Sequence, residues 1–347
     1  MTPALPYLEI EDANPTVSVQ DGGRYGAQRF GLAPAGAMDR LALAGANALV
    51  GAAPGAAAVE IGPLPMRLTA RAGAVRVALC GAERAVLVGD KPVVMGRSLR
   101  LEEGETLSVK AARSGAFTYL AVAGEIVGEP VFGSLSVHMR ALLGSPYPRP
   151  LRAGDRLGIG RPAAPGPERE LALPETGSGP IRVVLGPQDD YFDAATVAQF
   201  LETDWRISAT SDRMGYRLDG PKLIHARSAN VVSDGNAFGA IQVPGNGLPL
   251  VLLADRGTTG GYPKIAVIIG ADLGRFAQIQ TGGRVRFSAI GVEAAQDAAQ
   301  DFAAAIGRLP EQVKVLAAGS WSSEALLGVN LAGRALNALD SETWDRS

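Results

Sequence analysis

The sequence predicts a mainly β protein with a few helices, arranged as two domains or two half-barrels. Three observations carry this. The chain has 347 residues, long for one domain and suited to two. Its 44 glycines and 23 prolines supply the many turns of a β-rich architecture. Between residues 74 and 125, short apolar runs recur at close spacing with turn residues between them, the rhythm of a barrel or sandwich. The helix–strand alternation of a doubly wound fold and a short tandem repeat are both missing from the sequence.

The elements follow in order. Leu8-Glu9-Ile10 and Thr16-Val17-Ser18-Val19 read as strands, followed by a turn at Gln20-Asp21-Gly22-Gly23-Arg24. Residues 38–50 read as a helix with Gly51 as its stop. Val59-Glu60-Ile61 and Met66-Arg67-Leu68 suggest a hairpin around a Gly-Pro turn. Strands are expected at 75–79, 85–88, 98–101, 106–109 and 117–122. The proline and glycine density of 161–180 marks a linker. A second β-rich region, 181–287, holds one expected helix near 191–201. Residues 292–306 and 322–339 read as further helices. The expected organisation is a β subdomain at 1–165, a linker at 166–180, a second β subdomain at 181–293 and a helical extension at 294–347.

Apolar residues make up 47% of the chain and charged residues 20%, enough for a sizeable core and unlike a disordered chain. A net charge of −2, with both signs interspersed, speaks against nucleic-acid binding and against an electrostatic membrane surface. The sole cysteine, Cys80, excludes an internal disulfide and fits a reducing cytoplasm. The N-terminus lacks the features of a signal peptide, and no apolar run reaches membrane length, so a cytoplasmic location is expected. Two histidines, His138 and His225, and one cysteine stand at no ligand spacing, so no metal is expected. Neither a hydrolase elbow nor a Walker loop occurs.

Residues 255–264, Asp-Arg-Gly-Thr-Thr-Gly-Gly-Tyr-Pro-Lys, are the most informative stretch. A polar, glycine-rich turn lies between the apolar runs 248–254 and 265–269. It offers the hydroxyls of Thr258 and Thr259, backbone N–H groups at Gly260 and Gly261, and the cation of Lys264. Such a surface suits a carboxylate, a phosphate or a ureido group.

Four other clusters carry chemistry. Asp21 and Arg24 flank a tight turn, either as a carboxylate- or ureido-binding pair or as a turn-stabilising one. Asp39 and Asn47 bracket a helix start, as the polar wall of a pocket or as a helix cap and a loop tie. In Ser211-Asp212-Arg213-Met214-Gly215-Tyr216-Arg217, a strand would place Arg213 and Arg217 on one face, as an anion clamp or as a solvated ladder with Asp212 and Asp219. Gln242 precedes a Pro-Gly-Asn-Gly hairpin turn and is either a pocket amide or a buried structural glutamine.

In this order the clusters form a familiar pattern. Gln20–Arg24, Gly36-Ala37-Met38-Asp39, Ala46-Asn47-Ala48-Leu49-Val50-Gly51 and Val59-Glu60-Ile61 occupy the first part. Gly186-Pro187-Gln188-Asp189, Ser211-Asp212-Arg213-Met214-Gly215, Gly239-Ala240-Ile241-Gln242-Val243-Pro244 and the run from Thr258 to Lys264 occupy the second. The chain resembles the biotin-dependent carboxyltransferase family, which includes allophanate hydrolase subunit 2, the carboxyltransferase part of urea amidolyase and the Kip-type C subunits of 5-oxoprolinase. The resemblance spans residues 8–293 and, more weakly, 323–336. It departs at Gly133-Ser134-Leu135-Ser136-Val137-His138, where Leu135 and Val137 replace polar family residues, and at Gly144-Ser145, where a double glycine is expected.

The resemblance implies a pair of cyclophilin-like β-barrels. It implies an enzyme subunit acting with two others, of A-type and B-type, in the ATP-dependent opening of 5-oxoproline to glutamate. ATP would serve the complex, and no cofactor would be held tightly here. An alternative uses the same pocket to move a carboxyl from carboxybiotin to a urea-like nitrogen. Since no Met-Lys-Met attachment motif is present, biotin would then ride on a separate carrier. A third reading is a non-enzymatic regulatory binding protein, and a homo-oligomer is compatible with each. Under the enzymatic readings Lys264, Asp212 and Asp21 are the expected catalytic residues. Arg24, Arg213, Asp39, Gln242, Thr258, Thr259, Gly260, Gly261 and Tyr262 are the expected substrate-binding set.

Overall fold

The computed structural model describes residues 5–161 and 166–316, and it is mainly β. The first half is a curved nine-stranded sheet in which every pairing is antiparallel. Two long strands form its spine, Val75–Val88 and Thr106–Val122. They pair from Val77↔Val122 to Val88↔Leu107. The sequence spacing predicts four short strands from these stretches, because 81–84 and 110–116 are polar or small and read as turns. They are instead bulges within continuous strands, with register shifts between Gly81 and Val86. Gly81 takes a φ of 117°, and a Cβ there would stand 2.4 Å from the Phe117 carbonyl oxygen. Arg84 fills the gap, donating to the carbonyls of Gly62 at 3.0 Å and Lys110 at 3.2 Å. Burial pulls its guanidinium down to about 10.

The expected hairpin of 59–61 with 66–68 does not form. Ala58–Ile61 pairs with Val17–Gln20 and Thr106–Val122, and Met66–Arg71 pairs with Tyr7–Asp12 and Thr106–Val122. The Gly-Pro turn therefore carries the chain between two stations on the same long strand.

Helix α1, Arg40–Val50, begins at Asp39, whose carboxylate accepts from the Leu41 and Ala42 N–H groups at 3.1 Å. It ends at Gly51 in the left-handed region. Every residue of it except Arg40 is buried. Its Leu, Ala and Gly side chains allow close approach on all sides, and Gly45 lies against Leu173. Asn47 ties down the following loop through the Pro54 and Ala56 carbonyls.

The second half is an eight-stranded sheet. Its order is Arg284–Val285, Trp205–Ile207, Gly215–Asp219, Leu250–Leu252, Ala240–Gln242, Lys264–Ile268, Ile181–Leu185 and Phe287–Ala289. All pairings are antiparallel except the last, which is parallel. Helices α2 (Ala194–Glu202), α3 (Leu273–Ala277) and α4 (Val292–Gln312) accompany it. The helix expected at 322–339 lies outside the described residues. Arg169–Glu170 forms a short ladder with Lys314–Val315, and irregular chain then leads into the second half.

Two apolar cores result. One lies inside the first sheet, among Leu8, Val17, Ile61, Leu107 and Leu120. The other is shared, running from α1, Cys80, Phe117 and Tyr119 into Phe200, Trp205, Tyr216, Phe276 and Phe287. Burial of this kind stabilises by roughly 25 cal/mol per Å² of apolar surface. Burial also pushes the Cys80 thiol up to about 12, which makes it an inert core group. Among the described residues no helix is long and apolar enough to cross a membrane.

Candidate active site

The two halves meet at a buried polar junction. Arg213 precedes the strand Gly215–Asp219 and does not belong to it. Its guanidinium grips Asp255 through bonds of 3.1 and 3.0 Å, the Gly36 carbonyl at 2.7 Å, and Glu60 of the first sheet. Glu60 also accepts from the Tyr119 hydroxyl at 2.7 Å and the Met38 N–H at 3.0 Å. Burial alone would depress the Arg213 pKa, but Asp255 and Glu60 outweigh it and raise it. Tyr119 rises well above the phenol range through burial and the Glu60 charge. The pairing of Arg213 with Arg217 on one face is not formed, because Arg217 is exposed while Arg213 points inward to two acids.

Asp39 joins the same junction. Beyond capping α1, it accepts from Gln278 Nε2 at 2.9 Å, and burial raises its pKa against these bonds. Gln278 in turn accepts from the Ala116 and Phe117 N–H groups at 2.7 and 2.9 Å.

Asp21 organises the adjoining loops. Its carboxylate accepts from the Gly23 N–H and the Ser134 hydroxyl at 2.7 Å, from the Leu135 N–H at 2.6 Å, and from the Ser136 hydroxyl. Arg24 is fully buried beside it and donates to the Ser136 carbonyl. Among the described residues its Nη1 has no hydrogen-bond partner. Burial lowers the Arg24 pKa, opposed by the charges of Asp21 and Asp255. His138 lies in the same field. Its Nδ1 accepts from the Ala141 N–H at 3.2 Å, and burial lowers its pKa.

The turn at 255–264 builds a third group. Lys264 opens the strand Lys264–Ile268 and is only 2% exposed, yet its ammonium pairs at 3.1 Å with Asp234, whose side chain is 55% exposed. That bond holds the Asp234 carboxyl below the usual carboxylate range. Gln188 accepts from the Lys264 N–H at 3.1 Å and donates to Asp234 at 3.3 Å. Gln242 donates to Asn236 at 3.1 Å, and Asn236 donates to the Gly257 carbonyl at 3.1 Å. Thr259–Gly260 pairs with Asp234–Gly235. A Cβ at Gly260 would lie 2.5 Å from Gln242 Nε2 and 2.9 Å from Asn236 Nδ2, so a side chain there would displace these amides. Thr258 accepts from the Asn236 N–H through its carbonyl, Gly261 accepts from the Val231 N–H, and Tyr262 is exposed. The result is a desolvated ammonium, a solvent-facing carboxylate and three side-chain amides in one place.

A cavity of about 420 Å³ opens between the halves. Phe117 and Pro63 wall it on one side, and Asp212, Arg213, Tyr216 and Asp255 on the other. Asp212 is exposed there and accepts from the Met214 N–H at 2.8 Å. Of the expected site residues, Asp212 and Arg213 line this cavity, whereas Asp21, Arg24 and the residues from Thr258 to Lys264 do not. The expected site residues therefore fall into three groups, of which the Arg213 junction borders this cavity.

Sequence reasoning does not place Glu60, Asp234, Asn236, His138, Asp255 or Gln278 in the site. A glutamate between Val59 and Ile61 in an apolar strand is a readable signal for Glu60. Gln278 offers none, because its partners are backbone groups 161 and 162 residues away. Among the described residues no three His, Cys, Asp or Glu side chains stand close enough to share a metal ion.

Two sheets are thus joined by a shared core and by a junction in which Arg213 meets Glu60 and Asp255. Residues 30–289 match the family model described as carboxyltransferase domain, subdomain A and B, and the chain belongs to that family. It is 38% identical over 296 residues to the 5-oxoprolinase C subunit of Escherichia coli, covering 85% of this chain and 94% of that one. It is 34% identical over 294 residues to the 5-oxoprolinase C subunit of Haemophilus influenzae, covering 83% of this chain and 93% of that one. The crystal structure of the K. lactis urea amidolyase superposes with a TM-score of 0.81 at 26% identity, over 88% of this chain and 20% of that one. The chain thus spans about a fifth of that much longer protein.

Proposed function

We propose that the chain is a subunit of an ATP-dependent 5-oxoprolinase that opens 5-oxoproline to glutamate with two further subunits, of A-type and B-type. The two bacterial relatives named as C subunits of 5-oxoprolinase support the reading, since each is covered almost end to end. The observation that carries it is the Lys264–Asp234 pair at 3.1 Å among the amides of Gln188, Gln242 and Asn236.

Opening a lactam needs a donor where the carbonyl oxygen becomes negative and a base for the attacking water. Lys264 supplies the first from a dry position, with the Gly260 and Gly261 backbone beside it. Asp234 supplies the second from the solvent side. The water oxygen bonds to the carbonyl carbon, the C–N bond breaks, and the proton taken by Asp234 passes to the ring nitrogen. The Thr258 and Thr259 hydroxyls and Tyr262 border the substrate. Asp21 acts as a positioning residue, holding the loops around the buried Arg24 through Gly23, Ser134, Leu135 and Ser136. Asp39 and Arg213 fix the junction that carries these loops. ATP is consumed by the complex as a whole.

The test is 5-oxoproline turnover with ATP, measured on the chain with and without the two partner subunits. Turnover is expected only in the complex. Lys264→Ala is expected to lower kcat by about 10²–10³-fold, the loss typical of one oxyanion donor. Asp234→Asn should lower kcat with KM little changed. Full activity in Lys264→Ala would overturn the assignment.

A second reading is favoured by the family match and by the urea amidolyase relatives, among them that of Lachancea kluyveri, 28% identical over 333 residues. Here a carboxyl passes from carboxybiotin to a urea-like nitrogen, and Lys264 stabilises the same kind of oxyanion. Dependence of turnover on an added biotinylated carrier would select it.

A further inference from the structure

Beside the cavity between the halves lies a second one, also about 420 Å³, lined by Gly179, Ile181, Arg275, Ile279, Arg284 and Arg286 among others. Ile279 borders both cavities. The guanidinium of Arg275 is anchored by the Gly179 carbonyl at 2.6 Å and sits 3.5 Å from Asp272. Asp272 is already held by Arg182, through bonds of 3.2 and 2.7 Å, so its charge is largely spent before Arg275 is counted. Arg284 and Arg286 project from one face of their segment, being two residues apart. They share one carboxylate, Asp204, at 3.7 and 3.6 Å, distances longer than a formed hydrogen bond. In the register Arg206 stands opposite Arg284, a like-charge pair that destabilises an isolated ladder. Asp219, opposite Arg206 on the other side, offsets only that one charge.

Among the described residues, three guanidinium forks thus surround a groove whose other lining residues are Gly179, Pro180, Ile181, Ile279 and Val285, and only Asp204 and Asp272 pair with them. Guanidinium forks match phosphate oxygens in geometry and charge. A groove of this volume with three forks exceeds what one phosphate needs. We infer that this groove binds a polyphosphate chain, free or carried by a nucleotide, with Arg275 fixed at its base and Arg284 and Arg286 closing over it. The site is independent of the Lys264 turn, so neither assignment depends on the other.

The test is calorimetric titration of the full chain with tripolyphosphate, pyrophosphate and ATP at matched ionic strength. Saturable binding of tripolyphosphate is expected, with pyrophosphate weaker. ATP binding more tightly than tripolyphosphate identifies a nucleotide, and equal affinity identifies the free chain. Arg284→Ala and Arg286→Ala are each expected to weaken binding roughly tenfold, as the loss of a charge-assisted bond does. Both side chains are half-exposed or more, and their circular dichroism should be unchanged. Arg275→Lys, which keeps the charge but loses the fork, should weaken binding as well. No saturable binding, undiminished binding in the double variant, or stronger binding of a poly-glutamate peptide of equal charge would overturn the proposal.

Discussion

Glu60 and Arg213, 153 residues apart in the chain, form an ion pair across the junction of the two halves in which Glu60 is wholly buried. Glu60 depends on Arg213 for its opposite charge, while Arg213 is held by Asp255 as well. Removing one member of such a pair is typically destabilising by about 3–5 kcal/mol. Arg213→Met leaves Glu60 and Asp255 facing each other in the dry junction. Its loss in urea unfolding is expected at the upper end of that range. Adding Glu60→Gln should recover part of it, and a double variant as unstable as the sum of the singles would show that the pair is not coupled.

Gln278 is a second bridge, made of one amide. Its Oε1 accepts two backbone N–H groups of the first half, and its Nε2 donates to Asp39 and to the Phe117 carbonyl. Gln278→Leu keeps the approximate volume and strands those groups. A loss of about 2–3 kcal/mol is expected in chemical denaturation, the penalty of buried unpaired polar groups.

Gly36 has a φ of 86°, and a Cβ there would lie 2.8 Å from Gly23 Cα, so both conformation and space demand glycine. Its carbonyl also receives Arg213. Gly36→Ala is expected to be destabilising by about 1–3 kcal/mol in a thermal melt. The control Gly31→Ala has a similar φ of 80° with nothing close by, and should cost less.

His138 gives a pH dependence with a definite sign. Its folded pKa lies below the ordinary 6.5, chiefly through burial, with Arg24 and Arg213 adding to the effect and Asp255 opposing it. The unfolded chain therefore binds the proton first as pH falls. The stability from a neutral His138 is complete above 6.5 and is lost as pH falls through the depressed value. Urea midpoints at about pH 7.5 and about pH 5.5 should differ less in His138→Gln than in the wild type. An equal drop in both proteins would remove His138 from the account.

Much of the fold is legible because its signals are local. Asp39 and Gly51 bracket α1 by cap chemistry alone, and Gln242 with Leu250 frames its hairpin across a Pro-Gly-Asn-Gly turn. The long strands are not legible, since a bulge filled by Arg84 has the composition of a turn. The site divides the same way. The turn before Lys264 announces itself as polarity between apolar runs. Its partners Asp234 and Gln188 lie 30 and 76 residues away, in stretches with no periodic pattern. Arg213 reads as a ligand-binding cation because its acids come from a turn 42 residues on and from the other half.

The shared core that begins at α1 has a consequence for the covalent chain itself. Residues 175–180 are exposed and without regular structure, while the halves they connect are held by common apolar packing and the Glu60–Arg213 pair. A single protease cut among 175–178 should therefore yield two fragments that co-elute as one particle. Two genes encoding those pieces should be able to replace one. The peptide connection serves to deliver both parts at equal concentration, and the finished molecule does not need it to stay together.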